Sequence, residues 1–213
     1  MHIPDGFLNI ATVATTCAIS AGGVSYAVRT ANKKLGERQV PLMGVTAAFI
    51  FAAQMLKFPF IFGGTSGHLV GAALAAILLG PWTAVLIMTC VLIVQCLIFQ
   101  DGGLLALGAN VLNMGIIASF AGYYFYRGAA NLIGEDRRGK LVGSFIGAWS
   151  AVFLASVACA IELWISGTSP LPVALPAMAG WHALIGIGEG LITTSALSLV
   201  LATRRDILEL QKV

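Results

Sequence analysis

Residues Trp82–Phe99 read WTAVLIMTCVLIVQCLIF and contain no charged side chain. Because a helix needs about 20 mostly apolar residues to cross a bilayer, this stretch is long enough to span one. Pro81 precedes it and the polar pair Gln100-Asp101 follows it, so both ends carry signals that start or stop a helix. The stretch therefore predicts one membrane-spanning helix.

The composition of the whole chain is that of an integral membrane protein. Apolar residues make up 58% of the 213 residues and charged residues 10%, against about 25% charged in ordinary globular domains. The length fits a single domain, residues 1–213. The net charge of +3 gives no electrostatic basis for nucleic-acid binding. The cysteines all lie in apolar stretches, where we interpret them as buried hydrophobic residues rather than disulfides or metal ligands: Cys17, Cys90, Cys96 and Cys159.

We predict an all-α fold with seven transmembrane helices. The predicted spans lie at about residues 7–29, 40–58, 68–80, 82–99, 106–126, 141–165 and 177–202. The third span is unusually short, and Pro81 marks the turn between it and the fourth. Three prolines are expected to break the chain before the seventh span, namely Pro170, Pro172 and Pro176.

The distribution of basic residues predicts the orientation. With the N-terminus outside and the C-terminus cytoplasmic, every lysine and arginine except Lys57 falls on the cytoplasmic side, as the positive-inside rule requires. These residues are Arg29, Lys33, Lys34, Arg38, Arg127, Arg137, Arg138, Lys140, Arg204, Arg205 and Lys212. The same topology brings the N-terminus and the glycine-rich loops around residues 58–68 and 100–103 to the outer face.

The N-terminal segment MHIPDG, residues 1–6, offers an unusual set of nitrogen donors. The basic start of a signal peptide is missing, so Met1 is expected to be the mature N-terminus. Its amine, the backbone nitrogen of His2 and the His2 Nδ1 atom can close fused five- and six-membered rings around one metal ion. Such a nearly planar set favours Ni(II) or Cu(II) over tetrahedral zinc. Pro4 lacks an N–H, and Asp5-Gly6 predicts a tight turn into the first span.

His68 is the candidate for the fourth nitrogen. It follows small residues in FGGTSGHL, residues 62–69, and we predict that it starts the short third helix. A helix of about 13 residues covers only about 20 Å of a hydrocarbon core of roughly 30 Å, so its start is expected below the outer surface, within reach of residues 1–6. The positive end of that helix would keep His68 neutral, the form that binds metal. The alternative is that a histidine here only caps or packs the helix.

Four motifs together resemble one family of transport proteins. They are MHIPDGFL (1–8), GGTSGHLVGA (63–72), QDGGLLALGANVLNMG (100–115) and HALIGIGEGLIT (182–193). They are similar to the NikM/CbiM family, the substrate-binding (S) component of nickel/cobalt energy-coupling-factor (ECF) transporters. The resemblance covers nearly the whole chain and implies a seven-helix S component in the inner (plasma) membrane of a prokaryote. It implies that Met1, His2 and His68 bind the metal.

The resemblance also implies the cargo and the partners. Cobalt members tend to have Met-Glu where this chain has Pro4-Asp5, so Ni(II) is favoured as the bound substrate, with Co(II) as the alternative. The implied partners are a transmembrane coupling (T) component, a cytoplasmic ABC-type ATPase and, in some systems, a small accessory membrane protein.

Several polar residues are candidates for orienting the ligands. Histidine ligands normally donate their second ring N–H to a carboxylate or carbonyl. The candidates for such supporting roles are Asp5, Asp101, Thr65, Ser66, Asn110 and His182. For each of them a turn, a helix cap, loop hydrogen bonding or helix packing is an alternative. For Glu189, in the seventh span, we predict a structural hydrogen bond.

Two other functions are alternatives to metal capture. A self-sufficient metal channel or carrier would need acids along a path through the membrane, and only Glu189 lies at a plausible depth. An intramembrane enzyme is disfavoured because there is no H-E-x-x-H motif. The segment GEDRRGKL, residues 134–141, resembles a phosphate-binding loop but has Leu141 where Ser or Thr must hold Mg²⁺. ATP hydrolysis is therefore expected to need another subunit.

Overall fold

The computed structural model describes residues 1–34, 36, 39–56, 58–59, 66–204 and 206–209. The all-α prediction is confirmed. The helices are α1 (Ile10–Lys34), α2 (Gln39–Met55), α3 (Ala72–Leu79), α4 (Pro81–Phe99), α5 (Leu107–Asn110), a π-helical segment (Val111–Ile117), α6 (Ala118–Ile133), α7 (Arg137–Ile165), α8 (Leu171–Thr203) and α9 (Asp206–Glu209). Two strands of two residues each, β1 (Phe58–Pro59) and β2 (Ser66–Gly67), form one antiparallel pair between α2 and α3.

Within these described ranges, four helices are long and apolar enough to cross a membrane, namely α1, α4, α7 and α8, and α2 is apolar but shorter. Each of the seven predicted spans contains helix. The chain is therefore a membrane protein with several spans, while the number of crossings and the orientation stay predictions. The four cysteines are free thiols; Cys96 and Cys159 are buried as expected, whereas Cys17 is only partly buried and Cys90 is exposed on the surface of its helix.

Helix α4 matches its predicted span closely, because its ends are fixed by local chemistry. Gly80, at φ 87°, turns the chain directly after α3, and Pro81 occupies the first helical turn, where its missing N–H costs nothing. Gln100 ends the helix in the left-handed conformation at φ 53°.

The prediction that His68 starts the third helix is wrong. Helix α3 begins four residues later, after Gly71 at φ 78°, and its eight residues cover only about 12 Å. A side chain at Gly71 would meet Ile50 at 2.8 Å, so both the backbone angle and the space require glycine. His68 instead lies in a buried extended segment. Such non-helical backbone is tolerated at membrane depth when protein surrounds it.

Every residue of α3 is buried, which explains its uniformly apolar sequence. The N-terminus of α3 is closed by Glu189 of α8, whose carboxylate accepts hydrogen bonds from Val70 N at 2.9 Å and Gly71 N at 2.5 Å. The structural role predicted for Glu189 is therefore observed. The positive end of α3 is thereby directed at Glu189, not at His68 as predicted.

Two other predicted boundaries are also wrong. The seventh span was expected after Pro176, but α8 begins at Leu171 and Pro176 lies inside it. Pro172 lies in the first turn, where its missing N–H costs nothing, whereas Pro176 lies inside the helix and removes one backbone hydrogen bond without ending it. The fifth span was expected to end near residue 126, but helix continues from Leu107 through the π-helical segment to Ile133.

Helices α6, α7 and α8 pack closely side by side around the buried core, and glycines permit the closest contacts. A side chain at Gly147 on α7 would lie 2.5 Å from the carbonyl oxygen of Gly122 on α6. Asp136 caps α7 by accepting from Gly139 N at 2.9 Å. The segment 134–141 therefore contains a helix cap, which agrees with its rejection as a phosphate loop.

Candidate metal centre

The N-terminal loop, residues 1–6, folds into the helix bundle. Met1 is 5% exposed and Ile3 is 2% exposed, although the loop contains polar and turn-forming residues. The predicted Asp5-Gly6 turn is present, with Gly6 at φ 86°. A chain end that buries its apolar side chains this completely must have its backbone hydrogen bonds satisfied by other parts of the protein.

Asn110 and Gly103 satisfy the backbone of Ile3. The Asn110 side chain accepts from Ile3 N at 2.8 Å and donates to Ile3 O at 3.1 Å, and Gly103 N donates to the same oxygen at 2.9 Å. Asn110 is 2% exposed and belongs to α5. Its amide therefore fixes the position of the N-terminal loop at Ile3, the residue that follows His2.

Asp5 holds the other end of the loop. Its carboxylate accepts from three successive backbone nitrogens, Leu104 N at 3.0 Å, Leu105 N at 2.8 Å and Ala106 N at 3.3 Å. These donors belong to the turn that directly precedes α5, so Asp5 ties the N-terminal loop to that turn. Gly103 is required beside it, because a side chain there would lie 2.1 Å from Asp5 Oδ1.

The loop brings the Met1 amine to His68. Met1 N lies 3.2 Å from His68 Nε2, and His68 is 1% exposed. The other ring nitrogen of His68, Nδ1, is 2.8 Å from Leu69 O. Since a carbonyl oxygen can only accept, Nδ1 carries the hydrogen and Nε2 presents its lone pair to Met1 N.

The His2 ring lies against the His68 ring, with centroids 4.5 Å apart and planes inclined by 30°. For metal–nitrogen bonds of about 2.0–2.1 Å, adjacent corners of a square of nitrogens lie about 2.9 Å apart. The 3.2 Å between Met1 N and His68 Nε2 is close to this separation. These two atoms can therefore occupy adjacent corners of a plane after a movement of a few tenths of an ångström.

Two glutamines that the sequence analysis did not single out complete the surroundings of His2. Its Nε2 atom is 3.0 Å from Gln95 Oε1, and Gln95 Nε2 donates to Gln54 Oε1 at 2.8 Å. Both glutamines have no exposed surface. The only sequence signal for them is an amide inside an otherwise apolar helix.

The sequence model of one family matches residues 2–207 of the chain; its description is CbiM, cobalt uptake substrate-specific transmembrane region. The chain belongs to the CbiM family. The match begins at His2 and ends inside α9, so it covers α1 to α8 completely.

Individual relatives of this CbiM-family chain are named as metal transport proteins. A putative fused nickel transport protein NikMN of Archaeoglobus fulgidus is 44% identical over 98% of this chain and 68% of its own length. A cobalt transport protein CbiM of Geobacter sulfurreducens is 32% identical, over 98% of this chain and 61% of its own length. A crystal structure of a truncated transition metal transporter is 38% identical and superposes with a TM-score of 0.87, covering 95% of this chain and 99% of that one. The family is thus one of metal transport proteins and not of enzymes.

The remaining predicted site residues of the CbiM-family chain have different surroundings. Asp101 approaches His2, with Oδ1 3.7 Å from His2 Nδ1. His182 is 1% exposed and its Nδ1 donates to Met178 O at 2.7 Å, while Nε2 has no hydrogen-bond partner among the described residues. Ser66 belongs to β2, and its side chain lies outside the described part of the structure, as does Thr65 entirely.

Within the described ranges, no group of three or more His, Cys, Asp or Glu side chains could hold a metal ion. The predicted ligand set needs only two such side chains, because two of its four nitrogens belong to the main chain.

Proposed function

We propose that this protein captures Ni(II) as the substrate-binding component of an ECF transporter in the inner (plasma) membrane of a prokaryote. The ion is its transported substrate. Four nitrogens bind it in a plane: Met1 N, His2 N, His2 Nδ1 and His68 Nε2. The observation that carries the proposal is the buried approach of Met1 N to His68 Nε2 at 3.2 Å, with the His2 ring packed against the same imidazole.

The chemistry of the donors supports a planar ion. Four nitrogens in a square suit Ni(II) and Cu(II), whereas carboxylate and carbonyl sites suit Mg²⁺ and Ca²⁺. Asn110 and Asp5 fix the N-terminal loop at both ends. The loop that carries three of the four proposed nitrogens is therefore held in place before the ion arrives, which reduces the ordering cost of binding. Co(II) in the same role is the alternative, supported by the family description and by the cobalt transport relative.

Binding in this mode displaces protons. The Met1 ammonium group must lose one proton and the His2 backbone amide another before both nitrogens can donate to the metal. Nickel uptake is therefore expected to release two protons per ion from the ligands, and affinity falls as the pH is lowered. Proton release can be measured by calorimetry in buffers of different ionisation enthalpy.

Transport against a gradient needs energy that the proposal assigns to partners. The segment 134–141 contains the Asp136 cap of α7 and lacks the Ser or Thr of a phosphate loop. We therefore propose a transmembrane coupling component and a cytoplasmic ABC-type ATPase as partners, with a small accessory membrane protein in the complete complex. Reconstitution tests this: nickel uptake into vesicles is expected only with these subunits and ATP.

The ligand set is tested by elemental analysis and absorption spectroscopy of the purified protein. Wild-type protein is expected to bind one nickel ion with the spectrum of planar Ni(II). His2→Ala and His68→Ala are expected to abolish tight binding. His182→Ala removes the third histidine of the chain and serves as the matched control, since His182 is outside the proposed plane. Planar nickel retained in both His2→Ala and His68→Ala protein would refute the ligand set.

The amine is tested separately by adding several glycines before Met1. This converts Met1 N into an amide and moves the free amine away from His2, while every native side chain remains. A one-residue extension is unsuitable, because it would make His2 the third residue, and an amine, two amides and an imidazole in that order bind planar nickel by themselves. Nickel binding is expected to be lost. Mass spectrometry of the intact wild-type chain must show an unmodified Met1, and an extended protein that binds nickel normally removes the amine from the ligand set.

A further inference from the structure

A buried chain of hydrogen bonds joins His2 to the backbone of the segment that carries His68. Gln54 Nε2 donates to Val70 O at 2.6 Å, Gln95 Nε2 donates to Gln54 Oε1 at 2.8 Å, and Gln95 Oε1 lies 3.0 Å from His2 Nε2. The chain crosses from the segment before α3 to α2, then to α4, and ends at the N-terminal loop. Both amide side chains have no exposed surface, so water does not compete for these bonds.

The direction of every bond in this chain is fixed by its first member. Val70 O is a carbonyl oxygen and can only accept, so the NH₂ group of Gln54 must face it. The Gln54 oxygen then points to Gln95 and requires the NH₂ group of Gln95. The Gln95 oxygen is left facing His2 Nε2, and an oxygen without a hydrogen needs a donor opposite. His2 therefore carries a hydrogen on Nε2, while Asp101 Oδ1, 3.7 Å from Nδ1, lies beyond hydrogen-bond distance and does not require a hydrogen there.

We propose that Gln54 and Gln95 are positioning residues that select the tautomer of His2. They place the hydrogen on Nε2, so Nδ1 carries the lone pair. This rests on the proposed function, in which Nδ1 binds the ion. The tautomer matters for metal binding, because only Nδ1 can close a six-membered ring that contains the metal ion and the backbone nitrogen of His2. The opposite tautomer directs a hydrogen at the metal.

The other two histidines are set in the opposite tautomer by direct bonds to backbone carbonyls. His68 Nδ1 donates to Leu69 O and His182 Nδ1 donates to Met178 O. The chain contains three histidines in all. The structure therefore assigns one histidine with the hydrogen on Nε2 and two with the hydrogen on Nδ1.

The same hydrogen bonds also hold the His68 segment in place. Val70 is bonded on both sides of its backbone, since its N–H donates to Glu189 and its carbonyl accepts from Gln54. Val70 lies two residues after His68, so Gln54 restrains the segment of one proposed ligand and the tautomer of the other. A substitution of Gln54 is therefore expected to alter the hydrogen bond of His2 through Gln95.

The tautomers can be measured without any metal. Nitrogen-15 NMR of histidine-labelled, metal-free protein distinguishes a ring nitrogen with a hydrogen from one with a lone pair, and the His2 signals are identified by their loss in His2→Asn protein. Wild-type His2 is expected entirely in the Nε2–H form, and His68 and His182 in the Nδ1–H form. Wild-type His2 in the Nδ1–H form overturns the proposal, whatever the variants do.

Three variants test the chain of bonds. Gln54→Met keeps the volume but frees the Gln95 amide to rotate, so His2 is expected to become a mixture of both tautomers. Gln95→Leu removes the acceptor itself and is expected to give the same mixture, whereas Gln95→Glu keeps an oxygen towards His2 and is expected to retain the Nε2–H form. Asn113→Leu removes a buried amide that does not belong to this series of hydrogen bonds. It is the control and is expected to leave the His2 tautomer unchanged. A His2 tautomer that is unchanged in folded Gln54→Met protein overturns the proposal.

Nickel titration adds the functional readout. Loss of a group that orients a histidine ligand typically lowers metal affinity about 10- to 100-fold. Gln54→Met and Gln95→Leu are expected to fall in this range and Gln95→Glu to bind more tightly than Gln95→Leu. The NMR test of the tautomer does not depend on whether the protein binds nickel. If wild-type protein shows the assigned tautomers but binds no nickel, the proposed function fails and the tautomer selection does not.

Discussion

Replacement of Asn110 by alanine tests whether docking of the N-terminal loop controls metal binding. The substitution removes two hydrogen bonds to Ile3 and leaves the buried Ile3 N–H without its acceptor, while Ile3 O keeps its bond from Gly103 N. Each lost bond is worth about 0.5–1.5 kcal/mol, and an unsatisfied buried donor costs about 1–3 kcal/mol. We therefore expect docking to weaken by about 2–4 kcal/mol. At 1.4 kcal/mol for each factor of ten, this is about 30- to 700-fold.

Hydrogen exchange in metal-free protein measures this loss directly. The Gly103 N–H donates to Ile3 O in the docked loop and is not a partner of the deleted side chain, so its exchange rate reports docking. Its exchange is expected to accelerate by up to the calculated factor. Nickel affinity is expected to fall as the docked fraction falls, because only the docked loop presents Met1 and His2 to His68.

Asn113→Ala is the matched control for this experiment. Asn113 is 1% exposed and lies one turn further along the same helical run, but its amide donates to Glu162 at 2.6 Å and not to the loop. It is expected to lower thermal stability while leaving Gly103 exchange and nickel affinity near the wild-type values. If folded Asn110→Ala protein shows unchanged Gly103 exchange and unchanged nickel affinity, the docking argument is wrong.

Three further substitutions test the fold around the site. Asp5→Ala removes the acceptor of three backbone donors in the turn before α5, and we expect the free energy of unfolding to fall by about 1–3 kcal/mol, read as a lower melting temperature. Gly122→Ala would bring a new methyl group to 2.7 Å from Ala73, and a loss of about 1–3 kcal/mol is expected; Gly115→Ala, with no atom nearer than 3.5 Å, should melt like wild type. Glu189→Gln offers one oxygen to two backbone donors, so stability should fall by about 1–3 kcal/mol, and an unchanged melting temperature would contradict its capping role.

The apolar runs predicted where the helices lie, because a membrane-spanning helix needs a long uninterrupted apolar stretch, and such a stretch is visible in the sequence. They predicted the helix ends less well. His68 was expected at a helix start, but the positive φ of Gly71 delays the helix by four residues. Pro176 was expected to break the chain, yet α8 accommodates it in an early turn.

The candidate site was partly predictable for a physical reason. His2 is tied to the N-terminal amine by covalent connection, and His68 stands out as an imidazole among small residues. Gln54 and Gln95 could not be predicted, because their partners are a backbone carbonyl and each other, brought together only by the packing of α2 against α4. Asp5 was identified as a candidate, but its role depends on donors about a hundred residues away.

The N-terminal loop is held by groups that are distant in sequence, so it sits in the bundle as a peptide sits in the groove of a receptor. Its covalent tether to α1 keeps it at an effective concentration on the order of millimolar even when it leaves. A metal ion that links Met1 to His68 tightens the peptide in its groove by the same factor by which the groove tightens the ion. In the proposed function, undocking of this tethered peptide therefore weakens the hold on the ion by that same factor, so that movement of the loop and release of the ion are linked.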